Sequence, residues 1–98
     1  MTKRAPVHPG EILKHEFLDE LNLSAYALAK VLRVPTNRIT GIINGERAVT
    51  ADTALRLAQY FDTTPEFWLN LQTHYDLTVT RQRIARHIER EVPRMTAA

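Results

Sequence analysis

A short polar stretch near the middle of the 98-residue chain carries side chains that could recognise another molecule. Its members, interleaved with isoleucines, are Thr36, Asn37, Arg38, Thr40 and Gly41. An asparagine amide can bond two atoms of adenine, an arginine fork can bond two atoms of guanine, and a threonine methyl can contact thymine. These residue types therefore fit contact with the base edges of a DNA duplex.

Two short predicted helices would position this stretch. The first spans 25–32 and follows Ser24, whose hydroxyl suits a helix N-cap. The second spans 35–44, and Asn44 with Gly45 ends it because either residue tolerates a left-handed cap. Two helices joined by a tight turn are typical of the helix-turn-helix motif, in which the second helix lies in the major groove of DNA.

The remaining hydrophobic periodicity predicts an all-α chain. We expect further helices at 9–21, at 51–61 after Thr50, and from 65 onward after Thr64. The last helix either continues through 78–80 or breaks there. We expect a flexible arm at 1–8, the domain at 9–77, and a helical extension with a tail at 78–98. The side chains expected to face the core include Leu28, Val31, Ile39, Ile42, Ile43, Ala54, Leu55, Ala58 and Phe61.

Two positions beside the polar stretch have more than one interpretation. Gly41 costs a helix about 1 kcal/mol relative to alanine, so it either lets the backbone approach DNA closely or relieves crowding against a neighbouring helix. Arg47 follows the predicted helix end and could reach a phosphate, although a loop arginine is often only solvated.

Composition excludes several classes of function. The chain has no cysteine, which excludes disulfides, thiolate zinc sites and cysteine nucleophiles. It has neither an apolar run of membrane-spanning length nor a secretory signal, so we expect a cytoplasmic protein that does not enter membranes. No catalytic constellation is visible, so we expect neither an enzyme nor a small-molecule substrate. Glu11 and His15 stand one helical turn apart, but no ligand set is complete, and we expect no metal or cofactor.

Two features near the end of the chain leave alternatives open. Trp68 and Tyr75 are seven residues apart and could line a dimer interface or pack in the core. Residues 77–98 hold five arginines against two glutamates. Those at 81–90 could bind an acidic partner or flanking DNA, or form a solvated helix face. The net charge of +2 permits nucleic-acid binding without requiring it.

Residues 8–77 resemble the HigA (VapI-type) antitoxins of the XRE, lambda-repressor-like helix-turn-helix class. The similar segments are HPGEIL at 8–13, TADTALRLA at 50–58 and TPEFWLNLQ at 64–72, together with Leu28-Ala29-Lys30 and Ile42-Ile43-Asn44-Gly45. The Pro-Gly-Glu opening and the Phe-Trp-Leu-Asn-Leu-Gln segment are the more specific of these. Residues 78–98 have no distinctive match to the family.

The resemblance implies a five-helix, lambda-repressor-like domain that forms a homodimer, binds double-stranded operator DNA and represses its own operon. It also implies a type II antitoxin that neutralises a HigB-type mRNA endoribonuclease. By position, the base contacts fall on helix 35–44 and the phosphate contacts on Ser24, Asn44 and Arg47. Ala25 departs from the family, which often has glutamine there, and Gly41 stands where a base-contacting side chain is common.

Three other functions remain compatible with the residues. The chain could be a repressor of the same fold without a toxin, or an adaptor whose helix pair is only structural. RNA binding is also compatible with the small positive charge, although no aromatic stacking platform supports it.

Overall fold

Residues 5–96 are described by a computed structural model in which the chain folds into helices around one core. The prediction of an all-α, five-helix chain is confirmed. Residues 1–4 of the predicted arm and residues 97–98 of the tail lie outside the described residues. The helices are α1 (Pro9–Ile12), continued by a π-helical segment (Leu13–Leu18), α2 (Ala25–Leu32), α3 (Thr36–Ile43), α4 (Ala51–Phe61) and α5 (Pro65–Glu91).

The expected N-caps begin three of these helices. Each hydroxyl accepts a hydrogen bond from the backbone N–H three residues later, which satisfies a donor that the helix itself leaves unpaired. The bonds are Ser24–Ala27 at 3.0 Å, Thr50–Thr53 at 3.4 Å and Thr64–Phe67 at 3.1 Å. By contrast, α3 begins after Pro35 without a side-chain cap.

The first helix is shorter and wider than the predicted helix at 9–21. The carbonyl of Lys14 accepts from the N–H of Asp19 at 2.8 Å, and that of Leu18 accepts from Leu23 at 2.9 Å. These bonds span five residues instead of four, which is the π-helical pattern. The wider turns change which residues face inward, and Leu21 lies exposed after the helix has ended.

The core contains most, but not all, of the expected side chains. Leu28, Ile39 and Ile42 are completely buried. The expectation that Val31 and Leu55 face inward is wrong, because they are 50% and 60% exposed. The buried stripes of α2 and α4 contain the expected Ala54 and Ala58, together with Ala29, Leu32 and Leu57. The exposed pair lines a groove between α2 and α4 together with Tyr60.

A glycine contact fixes α3 against α1. Gly10 is buried, and a Cβ on it would fall on the carbonyl oxygen of Ile42 and within 2.9 Å of the Cα of Ile43. No residue with a side chain fits there without a shift of the backbone. This close approach explains physically why a glycine stands in the HPGEIL segment.

The last helix is continuous, which resolves the question of residues 78–80. The buried residues of its first half are Trp68 and Gln72, whereas most of the side chains after residue 80 are exposed. The arginines at 81, 83, 86 and 90 lie on this exposed part. The helix ends at Glu91.

Candidate nucleic-acid interface

The outer face of α3 presents the polar side chains that the sequence singled out. Ile39 and Ile42 are completely buried on the opposite face, so the helix has a clear inside and outside. Asn37 is exposed, and Thr36, Arg38 and Thr40 are half-buried. The hydroxyl of Thr40 donates to the carbonyl of Thr36 at 3.3 Å, within the helix.

Arg38 has a partner that the sequence did not indicate. Its Nη1 donates to Oδ1 of Asp52, in the first turn of α4, at 3.0 Å. Nε of Arg56 donates to the same oxygen at 2.8 Å. This hydrogen bond and the positive charges of Arg56 and Arg38 lower the pKa of Asp52, and the opposing effect of burial is smaller than that of the hydrogen bond. The i,i+4 spacing of Asp52 and Arg56 is a recognisable local signal. The contact with Arg38 spans fourteen residues and has no such signal.

The prediction that Gly41 contacts a base is not supported by its place in the structure. Gly41 is buried, and a Cβ on it would lie 2.5 Å from Cδ and 2.7 Å from Cγ of Arg47. The methylenes of that arginine therefore cover the glycine backbone. The group against Gly41 is thus Arg47, a loop residue, and not the neighbouring helix of the second interpretation, while contact of Gly41 with a base stays a prediction.

The three predicted phosphate-contacting residues are all exposed, at the ends of α2 and α3 and in the loop that follows. Ser24 precedes α2, where its hydroxyl also caps the helix. Asn44 follows α3, and Arg47 lies in the loop before α4. The N–H groups of Glu46 and Arg47 both donate to the carbonyl of Gly41, at 2.8 and 3.1 Å, which holds the loop against α3.

A buried glutamine that no sequence pattern singled out anchors the far end of this loop. Oε1 of Gln72 in α5 accepts from the N–H of buried Val49 at 2.7 Å. Its Nε2 donates to Oδ1 of Asp76 at 3.0 Å. The only sequence signal for this bond is that a polar residue occurs on the buried stripe of α5.

His8 belongs to the folded domain, so the predicted arm at 1–8 is too long by at least this residue. The ring is buried, and its Nδ1 accepts from the N–H of Gly10 at 2.9 Å. Oε2 of Glu11 accepts from the N–H of His8 at 3.2 Å, which completes a reciprocal cap of α1. Burial lowers the pKa of His8; the charges of Glu11 and Asp76 and a hydrogen bond to the backbone of Arg47 oppose this effect.

Trp68 and Tyr75 both make contacts within the chain. Trp68 is completely buried, its Nε1 donates to Oγ1 of Thr63 at 2.8 Å, and its ring lies 5.0 Å from that of Phe17. Of the two interpretations, core packing therefore holds for Trp68, and a place in a dimer interface is wrong. Tyr75 is half-buried, and its ring meets the ring of His8 edge to face at 4.8 Å.

The histidine and carboxylate pair on the first helix does not form a site. Glu11 is engaged in the cap of α1, and Nδ1 of His15 lies 3.2 Å from Oδ2 of Asp19 instead. Among residues 5–96, no group of three histidine, aspartate or glutamate side chains could hold a metal ion. Within the same range, no helix combines the length and hydropathy that crossing a membrane requires.

Comparison with known proteins places the chain in a family. A helix-turn-helix family model matches residues 15–68. Virulence-associated protein I of Dichelobacter nodosus is 53% identical over 76 residues, which cover 78% of this chain and 70% of that protein.

Solved structures extend the similarity to nearly the whole chain. A HigA-family addiction module antidote protein from Coxiella burnetii is 53% identical, with a TM-score of 0.89 over 94% of this chain and all of that one. The antitoxin HigA of Pseudomonas aeruginosa, solved with the higBA promoter, is 41% identical, with a TM-score of 0.90 over 94% of this chain and all of that one. The chain therefore belongs to the helix-turn-helix family that contains the HigA antitoxins.

Proposed function

We propose that the chain is a HigA-type antitoxin that binds operator DNA as a homodimer, represses its own operon, and binds and neutralises a HigB-type mRNA endoribonuclease. Its action is stoichiometric binding without a catalytic step. The operator and the toxin are its partners in the cytoplasm. It uses no cofactor.

The observation that carries the DNA-binding part is the outward face of α3. Asn37 is exposed there, and Arg38 uses one of its five N–H donors on Asp52, so its other donors are available to a guanine. Thr36 and Thr40 offer short groups beside them. We assign base contacts to these four residues and phosphate contacts to Ser24, Asn44 and Arg47.

A symmetric dimer explains how one short helix can select an operator. A two-fold axis would place two copies of α3 in successive major grooves, about 34 Å apart. The operator would then be palindromic, with one half-site for each copy. Support comes from the similar antitoxin of Pseudomonas aeruginosa, which was solved with promoter DNA.

A promoter-binding measurement tests this function. The protein is titrated against a labelled fragment upstream of its own reading frame and against a random duplex of equal length. We expect the protein to bind the promoter fragment at least about 10³-fold more tightly than the random duplex. A footprint should show two protected half-sites. Equal affinity for the two duplexes would favour the adaptor instead.

Co-expression tests the toxin partner separately. We expect the neighbouring reading frame to encode a small basic protein that arrests growth alone, cleaves mRNA, and is recovered in complex with this chain. If the promoter is bound but no neighbouring product associates with the chain, the protein is a repressor without a toxin.

A further inference from the structure

The carboxylate of Asp52 is shared by two arginines from different helices. Oδ1 accepts from Nη1 of Arg38 in α3 at 3.0 Å and from Nε of Arg56 in α4 at 2.8 Å. The two bonds meet on a single oxygen, so the position of the carboxylate sets the position of the Arg38 guanidinium.

The carboxylate is itself held in place by the helix-turn-helix frame. Nη1 of Arg56 donates to the carbonyl of Leu32, the last residue of α2, at 2.9 Å. The side chain of Arg56 therefore spans from the end of α2 to the first turn of α4. An isolated surface ion pair orders little, because both partners are long and free to move. Here Arg56 is also hydrogen-bonded to a backbone carbonyl, which restrains the ion pair further.

This arrangement has two consequences for a helix that reads DNA. An arginine that is ordered before binding loses less conformational freedom in the complex, and the ordering of one such side chain changes affinity by about 2- to 10-fold. In addition, the aspartate compensates the charge of Arg38. That arginine then contributes little to the attraction to phosphates, which is the part of the binding free energy that is the same for every DNA sequence.

We propose that Asp52 is a specificity-determining residue, which positions Arg38 for base recognition and reduces the affinity of the protein for non-operator DNA. This inference rests on the proposed function, because it requires that α3 reads operator bases. Asp52 acts through Arg38 and is a positioning residue, with no base contact of its own.

Asp52→Asn is the test, since it keeps an oxygen acceptor and removes the charge. We expect binding to random duplex to tighten by about 3-fold or more. The slope of log affinity against log salt concentration should become steeper by the amount that about one phosphate contact contributes. We also expect weaker discrimination, by about 3- to 10-fold, at the base pair that Arg38 reads. That base pair is the one at which Arg38→Ala abolishes discrimination among single-base operator variants.

Glu66→Gln is the matched control. Glu66 is exposed and occupies the same first-turn position of α5 that Asp52 occupies in α4. The substitution removes the same charge from a different helix, whereas Asp52 is the ion-pair partner of Arg38, so Glu66→Gln should leave discrimination at that base pair unchanged. If Glu66→Gln weakens discrimination as much as Asp52→Asn, net charge is the cause and the inference fails.

A double-mutant cycle completes the experiment. In the Arg38→Ala background, Asp52→Asn should change the ratio of operator affinity to random-duplex affinity no further, while thermal unfolding shows whether the frame is intact. An equal effect of Asp52→Asn with and without Arg38 would overturn the inference and leave the proposed function standing. If the unaltered protein does not prefer its promoter at all, the proposed function fails first.

Discussion

The Nδ1 atom of His8 and the backbone N–H of Gly10 lie 2.9 Å apart, and this bond begins the first helix of the domain. It requires a ring nitrogen that carries no proton, because a protonated nitrogen has no lone pair to accept with. The same ring packs against Tyr75 of α5 and donates a hydrogen bond to the backbone of Arg47. A neutral His8 therefore joins α1, α5 and the loop before α4.

This bond predicts a loss of stability in mild acid. Burial lowers the pKa of His8 below 6.5, against the opposing charges of Glu11 and Asp76, so the unfolded chain takes up the proton first as the pH falls. The contribution of His8 is complete above pH 6.5 and declines below it. We expect the free energy of unfolding, measured by urea denaturation, to fall between pH 7.5 and 5.5.

The variant His8→Asn, which keeps a capping side chain, should show a weaker dependence on pH over the same range. His15→Asn, an exposed histidine, serves as the control and should behave like the unaltered protein. An identical pH dependence in His8→Asn would show that other groups cause it.

Two glycine-to-alanine substitutions should have different effects on stability. Gly10→Ala puts a methyl on the backbone of Ile42, which cannot yield without moving α3, so we expect a loss of about 1–3 kcal/mol or more. Gly41→Ala meets only the flexible side chain of Arg47, and alanine favours the helix by about 1 kcal/mol. We expect its unfolding free energy to be unchanged or slightly higher. Equal losses in the two variants would contradict these assigned contacts.

Gln72→Leu should destabilise the loop that carries Arg47. The substitution leaves the buried N–H of Val49 without its acceptor, a cost of about 1–3 kcal/mol in the free energy of unfolding. Amide hydrogen exchange at Val49 should accelerate as well. Asn70→Leu, an exposed amide on the same helix, is the control and should leave that exchange rate unchanged.

The two arginines of the proposed interface should affect DNA binding differently. Arg38→Ala should reduce the discrimination between operator and single-base variants by about 1–3 kcal/mol. Arg47→Ala should weaken binding to all duplexes alike and reduce the salt slope by about one. Arg83→Ala, on the exposed half of α5, is the control for charge alone. If Arg47→Ala alters base preference, the assignment of Arg47 to phosphate must be revised.

Local patterns were sufficient to predict the helices and their starts. Ser24, Thr50 and Thr64 cap the helices that they were expected to cap, because capping depends on residues only a few positions apart. The same local reasoning failed at Val31 and Leu55. A helix buries only the stripe that its neighbours cover, and the neighbours of α2 and α4 are known only from the fold.

The polar stretch on the outer face of α3 was predictable from residue type, but the groups that hold it were not. Asp52 is fourteen residues from Arg38, and Gln72 is 23 residues from Val49. Neither pair has a spacing that a helix or turn imposes. Tertiary packing alone brings them together, so a single sequence contains no local signal for them.

The contact of Gly10 with Ile42 holds α3 in place through its backbone, so the contacts that fix this helix do not involve its outer side chains. The helix is held through its backbone and its inward isoleucines, and the outer side chains at 36, 37 and 40 contribute little to that support. Exchange of those three residues should therefore redirect the protein to a new target sequence at small cost in folding. One scaffold could in this way serve many independent operons in the same cell without cross-regulation.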